Sequence, residues 1–390
     1  MALRSTASKF QRSKTSACRS LRVPIPPQAE QRRIVAKIEV LFSELDKGVE
    51  NLTAARLQLN AYRQSVLKYA FEGKLTAEWR AKNPDTETGA ALRQRVLKTR
   101  RDEWEKAEKA RLKEQGRPPS NDDWKARYPE PERFDAEDLP ALPDEWCWAG
   151  LHELVSGKPR SMQSGPFGSN LLHSEFQASG VLVLGIDNVH DGTFSMGSQN
   201  RISEEKFQDL EKYQARPGDL LVTVMASLGR TCIVPRDLEK AIITKHVYRV
   251  SMEEQVLFPE FFNLLLQSQT VSRLRMFENA QGQTRPGLNS SILKALPIPL
   301  CSRAEQFEIV SRLSSQLSYA DSMASQIDDE LSRTTALRHS ILKRAFSGQL
   351  VAQDPNDEPA LALLQRIRAE TDGDGSRRKR NNKNGKKEAA

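Results

Sequence analysis

The sequence is poor in cysteine, in aromatic residues and in long apolar runs. Its four cysteines lie far apart and form no CxxC pair, so neither a zinc site nor a disulfide framework is indicated: Cys18, Cys147, Cys232 and Cys301. No apolar run approaches the ~18 residues that a membrane-spanning helix requires. These absences predict a soluble protein of a reducing cytoplasm.

The signatures of the plausible enzyme classes are also missing. A DNA amino-methyltransferase would carry an Asn/Asp-Pro-Pro-aromatic motif, and the nearest sequence is Asn-Pro-Asp at 83–85. The Gly-Lys pair at 157–158 lacks the upstream glycine of a P-loop, and the five histidines form no HExxH motif. Asp187 and Asp191 flank a turn, where turn capping is a simpler role than metal binding. We therefore predict a chain without catalytic residues, metal or cofactor.

Net positive charge is confined to the two ends of the chain. Lys and Arg number 59 against 51 Asp and Glu, which gives a formal charge of +8. Residues 1–22 carry +6 and residues 371–390 carry +4, so the remaining 348 residues sum to −2. We expect a basic disordered leader and a basic disordered tail. Any nucleic-acid site in the body must come from charges sorted to one face.

An internal repeat defines the layout. The first copy begins VPIPPQAEQRRIV at Val23, and the second begins LPIPLCSRAEQFEIV at Leu296. The copies later align without gaps at a separation of 275 residues, from Arg63 and Arg338 onward. We assign repeats to 23–76 and 301–352, each a long helix that ends near Gly73 or Gly348, and a short terminal helix to 353–370.

Apolar residues recur along both long helices at 4-3 spacing. This rhythm predicts left-handed coiled-coil packing, although a structural hairpin with no further role fits the same pattern. Gln316, Glu330 and Thr334 interrupt the second copy. The candidate helix-helix or subunit interface residues are Ile34, Ile38, Leu41, Leu45, Leu52, Leu59, Val66, Ile309, Leu313, Ile327, Leu337 and Ile341.

Two different regions separate the repeats. Residues 77–145 predict a charged helix and a Pro-rich strap, and all five tryptophans fall between 79 and 148, where we expect them to anchor the strap. Residues 146–300 predict a mixed globular domain. Its β-type runs are 181–186, 219–224, 231–235 and 241–250, followed by a helix over 259–277 and a short helix capped by Asn289 or Ser290. The fold class is α+β.

The globular region offers a candidate DNA-binding surface. It holds fifteen basic and fifteen acidic residues, but six of the basic residues and only three of the acidic ones lie in 216–250. Side chains that can read base edges or bind phosphates occur there and in a Gly-rich loop, although a solvated loop without ligand is an equal alternative for each. The candidates are Arg160, Arg230, Lys245, Gln281, Gln283 and Arg285.

Several of these segments resemble one known family. The repeated PIP…AEQxxIV start, the S(V/I)LKxAFxGxL helix end and RPGDLLVTVMASLGR are similar to the specificity subunit of type I restriction-modification systems. The strap WKARYPEP, the domain opening LPDEWCWAGLHEL and GPFGS at 165–169 agree with it. The resemblance covers 23 to about 370.

This resemblance implies a non-enzymatic DNA-recognition subunit in a bacterial or archaeal cytoplasm. It implies a target-recognition domain at 146–300 and two spacer helices that pair as an antiparallel coiled coil. The implied partners are double-stranded DNA, methyltransferase subunits and a restriction (translocase and nuclease) subunit, which bring S-adenosylmethionine, ATP and magnesium.

The chain departs from the family layout because the first recognition domain is missing before 23–76. We expect a truncated product rather than a half-subunit that homodimerises to read a palindromic split site. Two other functions compete with DNA recognition. One is a coiled-coil scaffold or inactive remnant, and the other is an autonomous DNA methyltransferase, which the absent motif disfavours.

Overall fold

The computed structural model describes residues 23–369, except 118, 133, 159, 279 and 281–286. The predicted basic leader and tail lie outside the described residues. Contacts divide the chain into a smaller unit, Met1–Gln58 with Ser322–Ala390, and a larger unit, Leu59–Asp321. No helix in the described part of the chain combines the length and hydropathy needed to cross a bilayer.

The described residues form helices, short 3-10 turns and strands. The helices are α1 (Gln28–Phe71), α2 (Ala77–Lys82), α3 (Gly89–Glu114), α4 (Leu151–Leu154), α5 (Glu204–Leu210), α6 (Pro259–Gln267), α7 (Val271–Glu278), α8 (Ser290–Lys294), α9 (Arg303–Phe346) and α10 (360–369). Short 3-10 turns lie at Asp123–Arg127, Gly168–Asn170, His173–Glu175, Ile186–Asn188 and Glu211–Tyr213. The strands are β1 (Cys147–Gly150), β2 (Met162–Ser164), β3 (Val181–Leu184), β4 (Arg201–Ile202), β5 (Gln214–Ala215), β6 (Leu220–Thr223), β7 (Thr231–Ile233), β8 (Ala241–Ile243), β9 (Val247–Val250) and β10 (Pro297–Leu300).

The two repeats form helices of identical length. Both α1 and α9 contain 44 residues. Each is followed by a glycine in the left-handed region, Gly73 at φ +73° and Gly348 at φ +70°. Glycine adopts this conformation without a steric penalty and so ends a helix cleanly. The predicted helices and their stops are confirmed.

Within the smaller unit, α1 and α9 contact each other through charged pairs. Asp46 pairs with Arg338, whose guanidinium lies 5.4 Å from the Phe42 ring centroid. Arg56 pairs with Asp328 at 2.7 Å. A stripe of half-buried or buried side chains runs along this contact and includes most interface candidates of this unit: Ile34, Ile38, Leu41, Leu45, Leu52, Ile327 and Ile341.

One predicted interface residue lies outside that stripe. Leu337 is 49% exposed, because the helix turns the neighbouring Arg338 toward Asp46. The half-buried positions are instead Leu331, Thr334 and Arg338, so Thr334, expected to interrupt the seam, belongs to it.

Within the larger unit, the heptad rhythm gives way to packing on the globular core. Ile309 and Leu313 are fully buried there, while Leu59 and Val66 are half-buried. Tyr62 and Tyr69, which continue the rhythm in the sequence, are about half exposed, at 46% and 50%. The α1 helix buries a different face here: the Phe71 and Phe261 ring centroids lie 5.2 Å apart.

The centre of the larger unit contains two four-stranded sheets, ordered β2-β9-β6-β7 and β4-β3-β8-β5, and a separate β1-β10 pair. All pairings are antiparallel except β3 with β8. Along β6, Leu220 and Val222 enter the core shared with α6, whereas Leu221 enters the core of the second sheet. This alternation is the two-residue period of a strand buried on both faces.

Two predicted elements are each split in the structure. The run 241–250 forms β8 and β9, which belong to different sheets and are separated by the turn 244–246. The helix expected over 259–277 breaks at Ser268, which is extended (ψ 149°) and whose Oγ donates to the Leu265 carbonyl at 2.5 Å. The predicted Asn289 cap of α8 is confirmed, since its side chain accepts from Ile292 N at 2.9 Å.

Tryptophans anchor the Pro-rich strap, as expected. Trp104 on α3 stacks on Trp124 in the strap, with 6.1 Å between ring centroids. Trp148 Nε1 donates to the Pro140 carbonyl at 2.8 Å. These contacts hold a segment with little regular structure against its neighbours.

A buried carboxylate joins α2, β1 and α9. Glu305 is 2% exposed, and its Oε1 accepts from Thr76 Oγ1 at 2.6 Å and from Arg80 Nη1 at 2.5 Å. Trp146 Nε1 donates to Oε2 at 3.0 Å. Arg80 also donates to the Gly73 carbonyl at 2.8 Å, which links the network to the end of α1. The charge is therefore both paired and hydrogen-bonded.

Replacement of Glu305 tests this network. We expect Glu305→Ala to lower the free energy of unfolding by about 3–5 kcal/mol, because Thr76 and Trp146 lose their acceptor and Arg80 keeps only Glu145, at 3.3 Å, as a counter-charge. Glu330→Ala removes an exposed pair with Arg333 and should cost less than about 1 kcal/mol. Urea unfolding of the full chain gives both values. Equal costs would contradict a structural role for the network.

Candidate nucleic-acid interface

One end of the β2-β9-β6-β7 sheet brings three loops together. They are 224–230 between β6 and β7, 244–246 between β8 and β9, and 165–168 after β2, and together they are called the hairpin-tip surface. Val224 N donates to the His246 carbonyl at 2.9 Å, and Gly165 N donates to the Val247 carbonyl at 3.3 Å.

Arg230 and Lys245 both lie on this surface and are exposed. Neither forms an ion pair within the described part of the chain. Thr223 Oγ1 accepts from Arg230 N at 2.9 Å and fixes the hairpin backbone beneath the guanidinium. Burial and the charge of Lys245 lower the pKa of the neighbouring His246, so this imidazole is neutral at pH 7. Two unpaired cations thus share one exposed end of the sheet.

The backbone of the hairpin tip is tightly constrained. Ala226 has φ +62°, a conformation that is rare for residues other than glycine. A Cβ on Gly229 would lie 2.7 Å from Phe277 Cζ, so the hairpin packs closely on α7. Phe167 and Met225 are exposed beside it and add apolar area. Constrained loops that carry exposed apolar and cationic side chains are typical of ligand-binding edges.

Three candidates fall in an undescribed segment: Gln281, Gln283 and Arg285 lie outside the described residues. The described flanks of that segment are at the hairpin-tip surface. Leu288 N donates to the Val224 carbonyl at 3.1 Å, and Ala280 is buried beside α7.

Arg160 lies at the other end of the same sheet. It precedes β2, and its carbonyl accepts from Arg249 Nη2 at 2.5 Å, at the end of β9 farthest from Val247. The structure therefore divides the sequence candidates into two groups.

The structure also adds three cations that the sequence analysis did not single out. The same cavity that Arg160 lines is lined by Lys158, Lys212 and Arg216. Sequence reasoning missed them because their proximity depends on which strands pair.

Asp187 has the turn-capping contact that the sequence offered as its simpler role, and Asp191 lies near an arginine. No cluster of three or more metal-ligating side chains occurs among residues whose placement is described. Asp187 Oδ2 accepts from Ser198 N at 2.6 Å, which is a loop-capping contact. Asp191 lies 3.8 Å from Arg273.

Comparison with known proteins identifies relatives of one kind. Residues 188–333 match the family model described as type I restriction modification DNA specificity domain. The chain is 26% identical over 365 residues to the type I restriction enzyme EcoBI specificity subunit of Escherichia coli, a match that covers 91% of this chain and 66% of that protein. It is 25% identical over 374 residues to the EcoKI specificity subunit of Escherichia coli strain K12, with 92% and 66% covered.

The fold agrees with these relatives. A chain from a structure of a type I restriction-modification system matches with a TM-score of 0.53 at 18% identity, over 84% of this chain and 62% of that chain. The present chain thus spans about two thirds of the length of the relatives it matches. Over most of its length it is similar to the specificity subunits of type I restriction enzymes.

Gly165 tests the close packing beneath the hairpin-tip surface. A Cβ at this position would collide with the backbone carbonyls of Ile243 and Thr244. We expect Gly165→Ala to lower the free energy of unfolding by about 1–3 kcal/mol, since backbone must move. Gly157→Ala meets only Arg100 at ordinary contact distance and should stay within about 0.5 kcal/mol of the unaltered chain. Thermal unfolding measures both, and a neutral Gly165→Ala would contradict the packing.

Proposed function

We propose that this chain is the DNA sequence-recognition subunit of a type I restriction-modification complex and has no catalytic role of its own. The supporting observation is the match of 188–333 to a DNA specificity domain, because that range contains the hairpin, the 244–246 turn and the 281–286 segment. We also propose that the chain acts in the cytoplasm of a bacterial or archaeal cell, where its proposed DNA target lies.

In this proposal, the hairpin-tip surface contacts one half of a split DNA target. Arg230 and Lys245 are exposed, unpaired among the described residues and carried by loops at the same end of the sheet, where they can contact phosphates or guanine. Gln281, Gln283 and Arg285 supply further base-reading groups from the neighbouring segment. Because the domain carries as many acidic as basic residues, affinity depends on this one face rather than on net charge.

We further propose that α1 and α9 form the antiparallel coiled coil of the spacer. Within the smaller unit, the two ion pairs between the helices have the register expected of helices that run in opposite directions. Asp46 pairs with Arg338, and ten residues later on α1, Arg56 pairs with Asp328, which lies ten residues earlier on α9. Within the larger unit, Arg63 pairs with Asp321, which continues the same antiparallel register.

The long helices also carry the proposed docking sites for methyltransferase subunits. Large apolar side chains are exposed along them, among them Val35, Val40 and Leu57 on α1 and Phe307 and Tyr319 on α9. Those subunits and the restriction subunit supply S-adenosylmethionine, ATP and magnesium. A second copy of this chain is the competing occupant, and sedimentation of the chain with and without methyltransferase distinguishes the two.

The DNA-binding proposal predicts that Arg230→Ala combined with Lys245→Ala weakens binding to the preferred duplex by about 10-fold or more, since a lost base or phosphate contact costs ~1–3 kcal/mol. The preferred duplex is selected from a randomised library with the full chain in complex with methyltransferase. Affinity is then measured by gel shift at several salt concentrations.

A matched control removes the same charges elsewhere. Arg117→Ala with Lys98→Ala takes one Arg and one Lys from exposed sites that form no ion pair within the described ranges. It should change affinity by less than about 2-fold. Equal affinity of the complex for every duplex in the library would show that the chain does not read sequence and is a scaffold.

The coiled-coil proposal predicts selective cross-linking. Asp46→Cys with Arg338→Cys should be joined within one chain by a short bis-maleimide, because these residues contact each other. Asp46→Cys with Asp328→Cys uses the same helices ten residues out of register, about 15 Å along the axis, and should not be joined. Mass spectrometry of tryptic peptides separates these links from those of native cysteines. Cross-linking of only the second pair would exclude the register.

A further inference from the structure

A basic cavity of about 210 Å³ lies at the end of the β2-β9-β6-β7 sheet opposite the hairpin-tip surface. Five cationic side chains line it: Lys158, Arg160, Lys212, Arg216 and Arg249. Glu211 is its single acidic lining residue within the described part of the chain. The lining residues come from three separate parts of the chain: the segment 156–161 before β2, the stretch 211–216 after α5, and residues 249–251 at the end of β9.

Four of the five cations of this basic cavity form no ion pair among the described residues. Lys158, Arg160, Lys212 and Arg216 form no ion pair with any described acidic residue. Other cations of the same domain are paired: Arg201 with Glu239, Lys206 with Glu175 and Lys240 with Glu204. A concave cluster of unpaired cations raises the local positive potential, and this favours an anionic ligand.

Arg249 forms the buried floor of the basic cavity. It is 5% exposed and occupies a position on β9 that faces the second sheet, where Val247 is apolar. Its two Nη atoms donate to the carbonyls of Arg160 and Gln214, while its Nε has no hydrogen-bond acceptor in the described chain and lies 3.8 Å from Asp219 Oδ2. Burial lowers the pKa of Arg249 and raises that of Asp219, so the pair is incompletely stabilised. A buried guanidinium with an unused donor is costly unless an anion approaches it.

The backbone at Arg160 is held in a strained conformation. Its φ of +62° is unusual for a residue with a side chain. The hydrogen bond from Arg249 Nη2 to its carbonyl fixes this conformation. Such strain costs roughly 1–3 kcal/mol and tends to persist at ligand-binding positions. The strained residue here is itself one of the five cavity cations.

We propose that the basic cavity binds a phosphate group. Its volume lies below the ~300–1,000 Å³ of sites that enclose drug-sized molecules, which favours a single phosphate over a whole nucleotide. Arg and Lys donors around one point match the tetrahedral oxygens of phosphate. The phosphate comes from the DNA backbone or from free phosphate. The first source rests on the proposed function, whereas the second does not.

The test removes charge while preserving local conformation. Arg160→Asn is suited to a left-handed backbone, and Lys212→Met keeps the aliphatic stem beside the Tyr213 ring, which the Lys212 ammonium approaches to 5.0 Å. The matched control is Arg117→Asn with Lys98→Met. If the first pair does not fold, Lys158→Met with Arg216→Gln replaces it, because both side chains are exposed.

Two measurements on the full chain distinguish the sources. In the first, inorganic phosphate replaces chloride at constant ionic strength, and we expect it to raise the thermal midpoint by about 2 °C in the unaltered chain and the control but not in the Arg160/Lys212 variant. In the second, the slope of log affinity against log salt is measured for the preferred duplex bound to the complex with methyltransferase. Loss of one phosphate contact reduces the slope by about 0.9.

Each outcome decides the proposal. A phosphate effect that the cavity variant alone removes, with an unchanged duplex slope, supports free phosphate as ligand. A reduced slope in the cavity variant, but not in the control, supports a DNA phosphate. If neither measurement separates the cavity variant from the control, the cavity binds no phosphate. Sequence selection by the unaltered chain is independent of that result, so failure of this proposal and failure of DNA recognition remain distinguishable.

Discussion

The carboxylate of Glu305 is the contact on which the larger unit depends most directly. It accepts from Thr76 and Arg80, at the start of α2, and from Trp146, just before β1. A buried carboxylate tolerates little displacement, because each lost donor leaves charge uncompensated in a low dielectric. The same short region therefore sets where α1 ends, where the globular domain begins and where α9 starts. The network is thus one of the contacts that tie the domain to the helices, together with the packing of Phe71 on Phe261.

A single sheet separates the two basic regions of the domain. Its strands have only three or four residues, so its ends lie about 13 Å apart, yet one end displays Arg230 and Lys245 and the other encloses the basic cavity. The intervening side chains alternate between two apolar cores and keep both ends rigid. The cationic side chains thus lie in the loops where the strands begin and end, at the two ends of the sheet. The net charge of the domain remains zero.

Local signals in the sequence predict the helical parts of this fold well. Gly73 and Gly348 stop helices because only glycine enters the left-handed region freely, and Asn289 caps α8 through its own side chain. Non-local contacts decide the rest. Nothing in 241–250 shows that β8 and β9 join different sheets, and Leu337 loses its seam position to Arg338 because Asp46 lies opposite. The cavity escapes sequence analysis for the same reason: Arg160 and Arg216 meet only after β2 pairs with β9 and β9 with β6.

The β1-β10 pair has a consequence for how the domain is made. Cys147 lies opposite Leu300, so the first and last strands of the domain close on each other across about 150 residues of chain. During synthesis, β1 emerges long before its partner exists, and its backbone donors and acceptors stay unmatched until residue 300 leaves the ribosome. Pairing of two strands so far apart in the sequence costs chain entropy before any contact forms, and this slows the pairing. The first strand of the domain therefore finds its partner only when the residues just before α9 have been made.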